Sequence, residues 1–117
     1  MPEANVTMNV RQAGSDAGVI EVHGDITAFA ENVLMDAYTQ ASNGSKKSII
    51  LDFSDLDYMN SSGIGLLVTL LIRANRHNQR VSAVGLDDHY KQIFELTRLD
   101  EAIGIYDSEA EALAGVA

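Results

Sequence analysis

The middle of the chain sets two apolar patterns of different period back to back, and this constrains the fold most. Ser48-Ile-Ile-Leu-Asp-Phe53 is apolar at nearly every position. Such a run fits a strand covered on both faces, as in a parallel sheet. Further on, Ile64, Leu67, Val68, Leu71 and Ile72 repeat at i, i+3, i+4, i+7 and i+8. That spacing predicts a helix with those five side chains toward the core. A buried strand that leads into an amphipathic helix is half of a crossover unit, so the sheet must be largely parallel.

The flanking segments fit this plan. Val6-Thr-Met-Asn-Val10 alternates apolar and polar, and Val19-Ile-Glu-Val22 follows after the turn cluster at residues 13–18. The two predict an N-terminal hairpin. Ala30, Val33, Leu34, Ala37, Tyr38 and Ala41 form a helical stripe that Thr27 is placed to cap and Gly44 to end. Val81-Ser-Ala-Val84 and Ile103-Gly-Ile-Tyr106 read as strands. Asp87 and Asp88 precede a helix carrying Ile93, Phe94 and Leu96, and Ser108-Glu-Ala-Glu111 fits a capping box for a last helix. The expected order is β-β-α-β-α-β-α-β-α: one α/β domain over residues 1–117, with its core within about 6–113. It has a mixed, mostly parallel sheet with an N-terminal hairpin and about four helices, most simply all on one face.

Composition removes several functions. Eight Lys and Arg against 17 Asp and Glu give a formal charge of −9. A nucleic-acid binder needs a basic footprint, and anionic lipid would repel this chain. Without Cys there is neither a disulfide nor a cysteinyl zinc site. The N-terminus lacks the layout of a signal peptide, and no apolar run is long enough to span a membrane. A cytoplasmic protein is expected.

Between the central strand and its helix stands Tyr58-Met-Asn-Ser-Ser-Gly-Ile-Gly-Leu-Leu67. The first turn of a helix has unpaired N–H groups and a partial positive charge. Gly63 and Gly65 open the approach to that backbone, and Ser61 or Ser62 is placed to cap it. A phosphate on either serine would add about −1.5 to −2 charge beside those N–H groups. The residues alone leave two readings, a plain cap or a phosphorylation switch. Leu66 and Leu70 form a second apolar stripe at i and i+4, which reads either as a docking surface or as a wider contact with the core.

Catalytic motifs are missing. Met59 and Asn60 occupy the positions where a nucleophile elbow around Ser61 or Ser62 needs glycine. Gly63-x-Gly65 begins a dinucleotide fingerprint, but Val68 takes the third glycine's place, and no Gly-Lys-Ser/Thr loop exists. His23, His77 and His89 have no ligand spacing, so neither a metal nor a cofactor is expected.

Through these residues the chain resembles the STAS domains, and among them the bacterial anti-sigma factor antagonists. "LDFSDLDYMNSSGIGLL" is similar to the family's strand and Asp-Ser-Ser-Gly-Leu/Ile-Gly turn. "HGDI" (His23 to Ile26) and "HYKQIFELTRLDEAIGIYDSEAEAL" resemble its early segment and its C-terminal third. The resemblance implies a non-catalytic regulator. Its unphosphorylated form binds an anti-sigma factor that is also a GHKL-type serine kinase, which frees the sigma factor. Phosphorylation of the first motif serine, here Ser61, breaks the complex, and a serine phosphatase restores it. Asp25, Thr27, Asn60, Ser62, Gly63 and Gly65 would flank the phosphosite. Asn60 and Thr27 stand where the family more often has Asp, so two carboxylates are missing from that neighbourhood. The alternative is a constitutive STAS module that binds proteins or a small ligand without a phosphoswitch.

Overall fold

The computed structural model describes residues 5–43 and 46–115. Five strands form one sheet in chain order: β1 (Val6–Ala13), β2 (Ala17–Ile26), β3 (Ser48–Met59), β4 (Arg80–Val84) and β5 (Gly104–Tyr106). β1 and β2 pair antiparallel as a hairpin, and every later pairing is parallel. The expected fold class is therefore the observed one. The helices are α1 (Glu31–Ser42), α2 (Ser61–Arg76), α3 (Asp88–Leu96) and α4 (Glu109–Gly115), with short 3-10 turns at Ala28–Ala30 and Leu99–Glu101. Gly44, expected to end the first helix, lies outside the described residues.

Not all helices share a face. From β2 to β5 each strand lies beside its predecessor, so right-handed crossovers return α1, α2 and α3 to the same side. There Leu34, Leu67, Leu70 and Phe94 pack on Ile20, Val22, Ile49, Leu51 and Phe53. α4 follows the last strand and is bound by no crossover. It packs on the other side, where Ala112 meets Ala17, Val19, Ile50 and Val84. This corrects the one-face expectation. Ser108 caps α4 through the Glu111 N–H at 3.1 Å, and the Glu111 carboxylate reaches the Asp107 N–H at 3.4 Å. Among the described residues no helix is long and apolar enough to cross a membrane.

β3 is longer than its apolar run suggests. It continues through Ser54-Asp-Leu-Asp-Tyr-Met59, which neither alternates nor stays apolar. The cause is in the register. Ala17 pairs with Ser48 and Ile26 with Met59, so nine steps along β2 face eleven along β3, with irregularities after Glu21 and after Gly24. Each extra residue is a bulge that twists the strand and re-aims the residues beyond it. The two bulges lie just before the junction with α2.

The core face of α2 also differs from the expected one. Leu67, Leu70 and Ala74 are fully buried and Leu71 nearly so, whereas Val68 and Ile72 are 38% and 48% exposed. Gly63 accounts for the rotation. Its Cα sits so close to the main chain of β2 that a Cβ would lie 2.1 Å from the Ile26 carbonyl oxygen. Once Gly63 faces the sheet, i+4, i+7, i+8 and i+11 must face it too, and these are Leu67, Leu70, Leu71 and Ala74.

Candidate functional site

The junction between β3 and α2 is held from three sides. The Met59 N–H donates to the Tyr90 hydroxyl on α3 at 2.9 Å, and the Asn60 N–H donates to the Ile26 carbonyl on β2 at 3.4 Å. The Asn60 side-chain oxygen then accepts the Gly63 N–H at 3.0 Å, with its backbone extended at φ −104 and ψ −175. Asn60 is thus the N-cap, and it corrects the assignment of that role to Ser61 or Ser62. The two serines are the first two residues of the helix, and both are exposed. Asn caps about as well as Asp, so Asn60 in place of the commoner Asp removes a charge and keeps the cap.

Thr27 behaves the same way. Its hydroxyl accepts the Phe29 N–H at 3.3 Å and caps the 3-10 turn that enters α1. The Ile26–Met59 pairing sets Thr27 alongside the start of the junction. Asp25 lies one pair earlier, opposite Tyr58, and its carboxylate accepts from the Asn5 amide at 2.9 Å. Asp55 and Asp57, both exposed, stand on the same stretch of β3, and Asp55 contacts His23 at 3.0 Å. The surroundings therefore stay acidic without carboxylates at positions 27 and 60.

The docking stripe assigned to Leu66 and Leu70 is corrected by burial. Leu70 is fully buried, and Leu66 is half-buried against the same core. The open face of α2 carries Ser61, Gly65, Val68 and Ile72 at i, i+4, i+7 and i+11 instead. Phe29, 55% exposed, lies on the 3-10 turn that packs against α2. Sequence reasoning missed Phe29, Tyr90 and this stripe. The one available signal for the stripe was Gly63, whose need for close contact fixes the phase of the helix.

The two glycines have different roles. Gly63 is wedged on β2, while around Gly65 a Cβ would meet nothing within 4 Å. An exposed helical glycine costs about 1 kcal/mol relative to alanine. Gly65→Ala is therefore expected to stabilise the domain by up to about 1 kcal/mol, read as a melting temperature higher by a few degrees. An unchanged or lower melting temperature would mean that packing, and not an open surface, selects this glycine.

Fold and site together define a class: a small α/β domain that displays an exposed serine at the first turn of a helix, beside an apolar face. The chain belongs to the STAS domain family, whose model matches residues 7–112. It is 27% identical over 109 residues to the anti-sigma-B factor antagonist of Listeria monocytogenes, covering 92% of this chain and 94% of that one. Its fold matches the anti-sigma factor antagonist of Mycobacterium paratuberculosis at a TM-score of 0.80, with 20% identity and 98% of both chains covered. It also matches the anti-sigma factor antagonist SpoIIAA in its unphosphorylated form at 0.72, with 20% identity over 94% of this chain and 97% of that one. The phosphorylated form of the Bacillus cell fate determinant SpoIIAA matches at 0.71, with 20% identity over 95% of this chain and all of that one.

Proposed function

We propose that this chain is a cytoplasmic, non-catalytic anti-sigma factor antagonist switched by phosphorylation of Ser61. Unphosphorylated, it binds an anti-sigma factor with GHKL-type serine kinase activity and so releases a sigma factor. That kinase phosphorylates Ser61 and ends the complex, and a serine phosphatase resets it. One observation carries this reading. Asn60 takes over the cap, which leaves the Ser61 hydroxyl exposed on the first residue of α2 with no structural duty there.

The residues around Ser61 take distinct parts. Ser62 and Gly65 keep the approach small, and Gly63 fixes the turn against β2. Thr27 and Asn60 hold the neighbouring backbone, while Asp25 adds negative charge at the margin. The partner rests on Val68, Ile72 and Phe29, which replace Leu66 and Leu70 in this role. A phosphate dianion in such a contact would have to shed its water and face nearby carboxylates, which opposes binding without any change of fold.

Phosphopeptide mass spectrometry on protein taken from its own host, growing and stressed, tests the switch. The expected result is phosphate on Ser61 whose occupancy changes with condition. A peptide covering Ser61 that is well detected and never phosphorylated would overturn it.

A further inference from the structure

The domain has a second polar site, at the end of the sheet away from Ser61. A cleft of about 570 Å³ opens where β2, β3 and β4 begin, bordered by the β1–β2 turn and by Leu113 of α4. β3 runs from Ser48 in this cleft to Met59 beside the junction. At about 3.3 Å per residue the two ends of the strand stand roughly 35 Å apart.

Charge at the cleft runs against that of the chain. Lys47 and Arg80 line it: Lys47 immediately precedes β3, and Arg80, the register partner of Ser48, opens β4, so the two cations stand at the starts of neighbouring strands. Among the described residues a single carboxylate, Asp16, lines it with them. Two cations against one acid is a local reversal in a chain of net charge −9. Neither Lys47 nor Arg80 takes part in an ion pair among the described residues. Arg80 donates one N–H to the Gly115 carbonyl at 2.6 Å, which steadies the guanidinium, and its other donors bond no side chain or carbonyl among the described residues.

A buried hydroxyl supplies an independent sign. Ser48 belongs to the cleft lining, yet its Oγ is fully buried and has no hydrogen-bond partner among the described residues. A hydroxyl left in that state destabilises the fold, a cost that alanine would avoid. Asn78, also in the lining, adds a side-chain amide.

We propose that this cleft binds a small molecule through a phosphate group. Lys47 and Arg80 pair with the phosphate oxygens, and the two of them match a dianion better than a single-charged carboxylate. Ser48 gains the partner that it lacks, and Asn78 donates beside it. Asp16 accepts from a hydroxyl on the organic part of the ligand. The site is separate from the Ser61 surface, and its success or failure leaves the phosphoswitch reading where it stands.

The test is an NMR titration of the whole ¹⁵N-labelled chain with inorganic phosphate and, separately, with glycerol 3-phosphate. Sodium chloride at matched ionic strength is the control. Saturable shifts are expected at the amides of residues 13–17, 47–48 and 78–80. Equal binding of the two probes would assign the site to free phosphate, and tighter binding of the ester to a phosphomonoester; either supports the proposal. Lys47→Ala should weaken binding about tenfold, the loss of one charge-assisted contact. Ser48→Ala should melt higher than the parent, because the unpartnered hydroxyl is gone, and yet bind phosphate more weakly. Shifts that follow ionic strength alone, or parental affinity in both variants, would overturn it.

Discussion

Ser61→Asp is expected to lose binding to the anti-sigma partner by about a hundredfold or more, while Ser61→Ala keeps it. Removing or mismatching one partner of a buried charge contact at an interface typically costs 2–5 kcal/mol, and a hundredfold is about 2.7 kcal/mol. The fold should respond with the opposite sign. Residue 61 is the first of α2, where a negative group meets unpaired N–H groups and the positive end of the helix. An aspartate there should stabilise the free domain by about 0.3–1 kcal/mol. Calorimetric binding and a thermal melt on the same two variants separate the cases. Lost affinity with an equal or higher melting temperature is a switch, and lost affinity with a lower one is damage. Equal binding by Ser61→Ala and Ser61→Asp would sink the switch and leave the constitutive module.

Gly63→Ala is expected to have the largest effect on stability of any single-methyl change near the site. The added carbon would meet the Ile26 carbonyl oxygen at 2.1 Å and the Met59 side chain at 2.9 Å. Met59 can move aside, but Ile26 is held in the β2–β3 pairing and cannot. Either α2 lifts off the sheet or β2 is pushed out of register, and both open the core at Leu67 and Leu70. The cost should reach at least about 3 kcal/mol, a large part of the 5–15 kcal/mol that holds a domain together. A melting temperature lower by about 10 °C or more would express it. A variant that melts within a degree or two of the parent would show that the helix can shift without penalty. Gly65→Ala, two residues on, should move stability the other way.

The fold was largely legible in the sequence, and the reasons are particular. Ile49, Ile50 and Leu51 sit on consecutive positions because both faces of β3 are covered, by α1–α3 on one side and α4 on the other. That pattern can be read directly. The length of β3 could not be read, because its two bulges break the period that marks a strand. The side taken by α4 was hidden too, since the handedness rule governs helices between parallel strands and α4 follows the last one.

The strand–helix junction was legible in its location and less so in its parts. The serines and glycines of the junction were found, but the cap belongs to Asn60. Apolar residues surround much of α2, so period alone allowed two phases. Bulk favoured the one with Ile64, Val68 and Ile72 inside, and a steric contact at Gly63 chose the other. Tyr90 carries no local mark of its hydrogen bond to a residue 31 positions earlier. Such a contact exists only once the sheet has brought β3 and α3 together.

That same contact bears on how the domain is made. Because the strands lie side by side in chain order, the sheet can grow by one strand at a time as the polypeptide leaves the ribosome, with no late strand to be threaded into the middle. The scaffold is thus assembled from its N-terminal end. The Ser61 turn does not mature at the same pace: its backbone clasp waits for Tyr90, which arrives on α3 after β4 has been laid down. A nascent chain therefore carries the serine long before it carries the finished turn, which is complete only once most of the domain has been synthesised.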